Sequence, residues 1–307
     1  MSSSDQAATL RRLMSTREAS RSRMQALSRT RVFTVASGKG GVGKSCFVAN
    51  LGASIARQGQ RVLLIDADVG LANLDILLNT EVTATLEQVL QGEANARDAL
   101  VGIEPNLWLM PARSGLTQTT QWSISERLEL ADLLESLPWE IDVVLIDCGA
   151  GISDSVLRLH QPEFESLVVL TPDPTAIADA YGLIKMLQRE RSVSEFKLAV
   201  NQVTDAQQAQ NVFKKIKEIA DRFIDTDLSY LGHIPRDEKM IQAVLRRKIL
   251  LDLDSEAPAA RCLDWIAKRL VGQISEELDN EANQGLVRQM PGKSAQFWQT
   301  LLGEVRV

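Results

Sequence analysis

Histidine, cysteine and aromatic residues are scarce in this chain, and each scarcity narrows the range of functions. The 307 residues include two histidines, His160 and His233, and three cysteines, Cys46, Cys148 and Cys262. The cysteines are far apart and form no C-x-x-C pair, which argues against a disulfide framework or a Cys/His metal centre. They read as reduced thiols in a cytosolic protein. No apolar run approaches the roughly 18 residues needed to span a membrane, and the start of the chain has no apolar stretch suited to a secretory signal. Positive charge is also in deficit, with 34 Lys and Arg against 40 Asp and Glu, for a formal charge of −6. An acidic chain does not coat nucleic acid nonspecifically, so direct DNA binding is not expected.

Apolar residues make up 45% of the chain, enough for a sizeable core. Four zones follow along it. Residues 1–30 are a basic N-terminal arm, and from Arg11 to Arg31 inclusive there are seven arginines and one acid, Glu18. A mitochondrial transit peptide has a similar composition, so that alternative stays open. Residues 31–274 alternate short apolar runs with helical patterns. The runs are VFTVAS, RVLLIDAD, NLWLMPA, IDVVLIDC, SLVVLTP, FKLAVNQV and LSYLGHIP. Little polar alternation within them predicts strands buried on both faces. Helical spacing falls at 46–57, 125–137, 176–189, 205–223 and 258–271. The expectation is an α/β fold with a mostly parallel twisted sheet of about seven to eight strands and helices on both faces. Residues 275–292 read as a polar linker with Gly285 and Pro291-Gly292, and residues 293–307 as an amphipathic helix.

Between the first strand and the first helix lies Gly38-Lys39-Gly40-Gly41-Val42-Gly43-Lys44-Ser45. A loop that wraps a phosphate needs bare backbone, and four glycines in six positions provide it. The loop amides and the helix N-terminus then face the anion. Lys44 should reach the β- and γ-phosphates of ATP, and the Ser45 hydroxyl should ligate Mg²⁺. Two other apolar strands end in acids, Asp66-Ala67-Asp68 and Asp147, above the sheet where ligands bind. One such carboxylate can orient a water for phosphoryl transfer. Asn201 closes a later strand, and its amide could pair with an adenine edge or could simply serve a turn. Pro235 and Asp237 follow the last strand.

Lys39, directly after the first glycine, is not required by an ordinary P-loop and could equally be a solvated surface lysine. With it, the loop resembles the MinD/ParA class of deviant Walker ATPases. That resemblance implies that Lys39 reaches the phosphates of a second copy in an ATP-dependent homodimer. It assigns water orientation to Asp68, a place near the lysine and metal to Asp66, and Mg²⁺ binding through water to Asp147. It also implies that backbone at Pro235 and Asp237 lies against the base. Within the class, Ala178–Lys185, Arg222–Asp225 and Tyr230–Asp237 resemble the FlhG (FleN) group, regulators of flagellar number and placement. Asp5, Gln6, Leu10 and Arg11 match the D-Q-A-x-x-L-R motif by which that group stimulates the GTPase FlhF. A flagellar transcription regulator is a further implied partner. Phe297, Trp298, Leu301, Leu302 and Val305 share a helical face that could lie on the inner surface of the cell membrane or pack on the body. A cytoplasmic protein, peripheral at the membrane, is expected. The alternatives are a ParA-type DNA-partitioning ATPase and a MinD-type division-site ATPase.

Overall fold

The computed structural model describes residues 30–68, 73–85, 88, 93–95, 97–111, 141–160, 162 and 164–283. Among them, eight strands form one sheet in the order β3-β4-β2-β5-β1-β6-β7-β8. The strands are β1 (Arg31–Ser37), β2 (Val62–Ala67), β3 (Val101–Glu104), β4 (Leu107–Met110), β5 (Val143–Ala150), β6 (Glu165–Leu170), β7 (Glu195–Val203) and β8 (Asp227–Pro235). Every neighbouring pair is parallel except β3 and β4, which form an antiparallel hairpin at one edge. The described helices are α1 (Lys44–Arg57), α2 (Leu74–Leu77), α3 (Asp154–Leu159), α4 (Pro174–Arg191), α5 (Ala206–Phe223), α6 (Glu238–Leu245), α7 (Leu250–Leu253) and α8 (Pro258–Asn283).

Alternation along each strand divides the core in two, because successive side chains leave a strand on opposite faces. Phe33, Val35, Leu64 and Leu145 pack with Leu51 and Ile55 of α1 and Leu263 and Ile266 of α8. Val32, Ala36, Leu63 and Ile146 pack with Leu183 and Leu187 of α4 and Ile216 of α5. Central strands with an apolar layer on each side must be apolar at every position, which is why their sequences lack polar alternation. The carboxyl ends of the parallel strands open at one edge of this sandwich, where the loops gather.

Each of the seven predicted strand runs holds a strand, and the fold class is the expected one. Strand β3 was not read from the sequence, since it is four residues long, contains Gly102 and is only partly buried. Helices α6 and α7 occupy the stretch between the last strand and Pro258, where no helix was expected. Helix α8 continues to Asn283, through the first nine residues of the expected linker. Ser275 to Asn283 holds neither Gly nor Pro, so nothing in that stretch interrupts a helix already under way. The predicted helix at 125–137, arm residues Asp5, Gln6, Leu10 and Arg11, and the apolar stripe from Phe297 to Val305 lie outside the described residues. Among the described residues, no helix is long and apolar enough to cross a membrane.

Candidate functional site

The loop from Gly38 to Gly43 joins β1 to α1. Helix α1 starts at Gly43 in the left-handed region (φ 86°), with no side-chain cap. Helices α3, α4, α5 and α6 are all capped, by Ser153, Asp173, Asp205 and Asp237. The first N–H groups of α1 therefore lack the side-chain oxygen that caps those four helices, and an anion can take that place. Gly41 is also left-handed (φ 78°). A Cβ added at Gly40 or Gly41 would meet nothing within 4 Å, so this rim of the loop is open to a phosphate. Gly38 and Gly43 are bare for different reasons. A side chain on Gly38 would run into the backbone of Asp179 and Ala180 in α4, and one on Gly43 would come within 2.5 Å of Asn201 Nδ2.

Lys44 is buried, its side chain 6% exposed, and it forms an ion pair with Asp147, which is 1% exposed. The Ser45 side chain also favours the charged form of this carboxylate. Burial pushes the Asp147 carboxyl up, and the Lys44 charge opposes that shift. A hydroxyl and a carboxylate beside the open loop are hard oxygen donors, the type that suits Mg²⁺. Strands β2 and β5 place Asp66 directly opposite Asp147. Asp66 is pushed up to about 6, chiefly by burial, with the negative charge of Asp147 adding to the shift. Its Oδ2 accepts from the backbone of Asn73 (2.9 Å) and Leu74 (3.1 Å), and its Oδ1 from the backbone of Asp68 (3.2 Å). Asp66 thus ties the backbone of Asp68, just after β2, to the start of α2. Gly149 lies beneath Asp68, with a Cβ there 3.5 Å from Asp68 Oδ1.

Lys39, with 41% of its side chain exposed, turns to its own chain. Its Nζ donates to Asp173 Oδ2 (2.9 Å) and Thr175 Oγ1 (2.6 Å) at the start of α4. That contact pushes the Asp173 carboxyl down to about 2. In the sequence, Asp173-Pro174-Thr175 signals a helix start, but nothing local links it to a lysine 134 residues away.

A cleft of about 400 Å³ runs from Lys39, Gly40, Gly41 and Val42 past Thr171, Pro172 and Asp173 to Gln202, Thr204, Gln208 and Arg236. Three residues expected at the base, Asn201, Pro235 and Asp237, do not line it, whereas their neighbours Gln202 and Arg236 do. Asp237 instead caps α6 through Lys239 N (2.8 Å) and accepts from Ala259 N (3.0 Å) at the start of α8. Asn201 donates to the Val42 carbonyl (2.8 Å). Gln202, Gln208 and Arg236 were not singled out in the sequence, because which residue of a strand end faces a cleft depends on how the strand finishes.

The geometry has counterparts among known proteins. A family model described as ParA, NUBPL iron-transfer P-loop NTPase, matches residues 28–271. The chain is similar to the antiactivator FleN of Pseudomonas aeruginosa, 34% identical over 247 residues, which span 80% of this chain and 88% of FleN. It is similar to the flagellum site-determining protein YlxH of Helicobacter pylori, 32% identical over 246 residues, 80% of this chain and 83% of YlxH. Among solved structures, the septum site-determining protein MinD of Pyrococcus horikoshii, complexed with Mg-ADP, superposes with a TM-score of 0.61 at 25% identity, covering 78% of this chain and 96% of that one. The open glycine loop and the buried Lys44–Asp147 pair fall within the matched span, and the chain belongs to the ParA/MinD family of P-loop ATPases.

Proposed function

We propose that this ATPase is a switch that regulates flagellar number and placement, timed by ATP-dependent dimerisation. The observation that carries the reading is its similarity to two flagellar proteins, FleN and YlxH, each over 80% of the chain. ATP is the substrate. Its phosphates would meet the loop amides of Gly40 to Gly43 and the uncapped N-terminus of α1, with Lys44 turning from Asp147 to the β- and γ-phosphates. Ser45 and, through water, Asp147 would hold Mg²⁺, which neutralises phosphate charge when bound. Asp68 would orient the attacking water, supported by Asp66 through the loop backbone. Lys39 would leave Asp173 to reach a second copy's nucleotide. The N-terminal arm, with Asp5, Gln6, Leu10 and Arg11, would engage an FlhF-type GTPase, and a flagellar transcription regulator is a further partner. The stripe from Phe297 to Val305 would hold the dimer at the membrane surface, since two weak anchors on one body raise avidity.

A MinD-type role in division-site placement is the second reading, supported by the MinD superposition. Loss of the gene separates the two. The flagellar reading expects altered flagellar number with normal cell length, whereas minicells with normal flagella would support the division reading. Among the described residues, no three His, Cys, Asp or Glu side chains gather as a metal site, and Cys148 is fully buried. The flagellar reading is tested by adding the full chain to an FlhF-type GTPase. GTP hydrolysis should rise, and a chain lacking residues 1–30 should leave the rate unchanged. Equal stimulation by both chains would remove the arm from the reading.

A further inference from the structure

We propose that the end of α6 is a lipid contact, a short apolar stripe rimmed by cations that enters the headgroup layer of an anionic membrane. The proposal rests on the membrane reading above and adds a second contact beside residues 293–307.

Helix α6 turns apolar residues both inward and outward. Ala243 is buried and Met240 packs against the same core, with Met240 Sδ 3.2 Å from Cys46 Sγ in the first turn of α1. On the outer side, Ile241, Val244 and Leu245 follow the i, i+3, i+4 spacing of one helical face. They are 61%, 38% and 78% exposed. A single exposed leucine is ordinary, but three aliphatic side chains on one face form a patch with no cover among the described residues.

The way the helix ends adds charge to that patch. Arg247 N–H donates to the Val244 carbonyl and Lys248 N–H to the Ala243 carbonyl, both at 3.0 Å. This pair of bonds closes a helix through a left-handed residue, a place that glycine usually fills. Arg247 fills it here, at φ 52°. The chain returns to the core at Ile249 and Leu250, so Arg246, Arg247 and Lys248 stand exposed on a turn between two buried stretches. The side chains of these three form no ion pair among the described residues. Of the nearby acids, Asp254 faces Lys239 at 3.9 Å, and Glu238 lies at the other end of the helix. Unpaired cations beside exposed aliphatics select the partner. Nucleic acid would meet the charges but leave Ile241 and Leu245 in water, and the chain as a whole is acidic, at −6. Residues 244–248 are all exposed, so the tip protrudes, and a protein partner would need a hollow shaped to it. A bilayer takes up such a tip without a preformed pocket, while its phosphates meet the cations. Three aliphatics and three cations bind weakly, so the tip acts together with residues 293–307 and does not replace them.

The test measures binding of the full-length protein, with ATP, to vesicles of phosphatidylcholine alone and of phosphatidylcholine mixed with phosphatidylglycerol. Ile241→Gln combined with Leu245→Gln should weaken binding to the mixed vesicles roughly tenfold. Arg246→Gln combined with Lys248→Gln should weaken it by a similar factor, roughly tenfold, and flatten its salt dependence, with little change on phosphatidylcholine alone. Both pairs keep Arg247 and the helix end, so thermal unfolding and lipid-free ATP hydrolysis should match wild type. Amide hydrogen exchange at residues 241–248 should slow when mixed vesicles are added to the ATP-bound protein. The proposal is overturned if the Ile241/Leu245 pair binds mixed vesicles as wild type does, or if exchange at 241–248 ignores lipid. It is also overturned if that pair loses the ATP-dependent dimer in size exclusion, which would give the stripe to a second copy. Loss of binding to a DNA duplex by the Arg246/Lys248 pair, with vesicle binding kept, would give the cations to nucleic acid instead. A wild-type chain that binds neither vesicle with ATP would overturn the membrane reading itself, and this proposal with it.

Discussion

A buried charge is tolerated when its counter-charge is buried with it, and Lys44 and Asp147 meet that condition. Removing one partner strands the other. Lys44→Ala should abolish ATP binding and also destabilise the nucleotide-free protein by about 3 kcal/mol, measurable by urea denaturation beside nucleotide binding. His160 offers a test at a different depth. It is fully buried, with Nδ1 bonded to the Val156 carbonyl (2.9 Å) and Nε2 without a partner. Burial pushes it down to about 4, against 6.5 when unfolded. The unfolded chain therefore binds a proton below pH 6.5 that the folded chain refuses, and the stability contribution falls as pH drops from 6.5 towards 4. His160→Leu removes that penalty. Relative to wild type, the variant should gain about 3 kcal/mol between pH 7 and pH 4. A stability gap that stays constant with pH would show that His160 is not held neutral in the fold.

Among the elements, α4 meets the phosphate loop at two points. Its N-terminus carries Asp173 and Thr175, the partners of Lys39, and its second turn presses on Gly38. In the sequence, Gly38 reads as bare backbone for a phosphate; in the fold its bareness lets helix and loop touch. Gly38→Ala should push the loop off α4, costing about 2 kcal/mol or more together with most of the ATPase activity. A melting temperature and an activity equal to wild type would mean that the contact is dispensable. Seven of the eight strands, and α1, α4, α5 and most of α8, were legible because apolar runs and periodicity are local properties. Strand β3 was not, since it holds Gly102 and is only partly buried, and α6 and α7 were not, since eight and four residues are too few to establish a helical period.

At the scale of the whole molecule, the expected behaviour is a change of assembly. Asp68→Ala should bind ATP yet hydrolyse little, and so accumulate as a dimer in size-exclusion runs with ATP. A monomeric Asp68→Ala protein under those conditions would sink the dimer switch. Lipid vesicles should retain the full chain with ATP and release it without. A chain ending at Pro291 should pass through in both cases, and equal retention would remove the membrane role of residues 293–307.

The sequence alone determined the chemistry of the phosphate loop, because Gly38 to Ser45 is contiguous and its function depends on residue type and spacing within one turn of chain. The same holds for the apolar runs and for the acids that follow them, Asp66 near the end of β2 and Asp147 within β5. Only the tertiary structure decided the pairings: Lys39 with Asp173, Lys44 with Asp147 and Asn201 with Val42, each separated by more than 100 residues. It also decided that Gln202, rather than Asn201, faces the cleft. Such choices follow from sheet order, from register and from the backbone angle at a strand's last residues. Those are set by packing across the whole core, and no short stretch of sequence contains them.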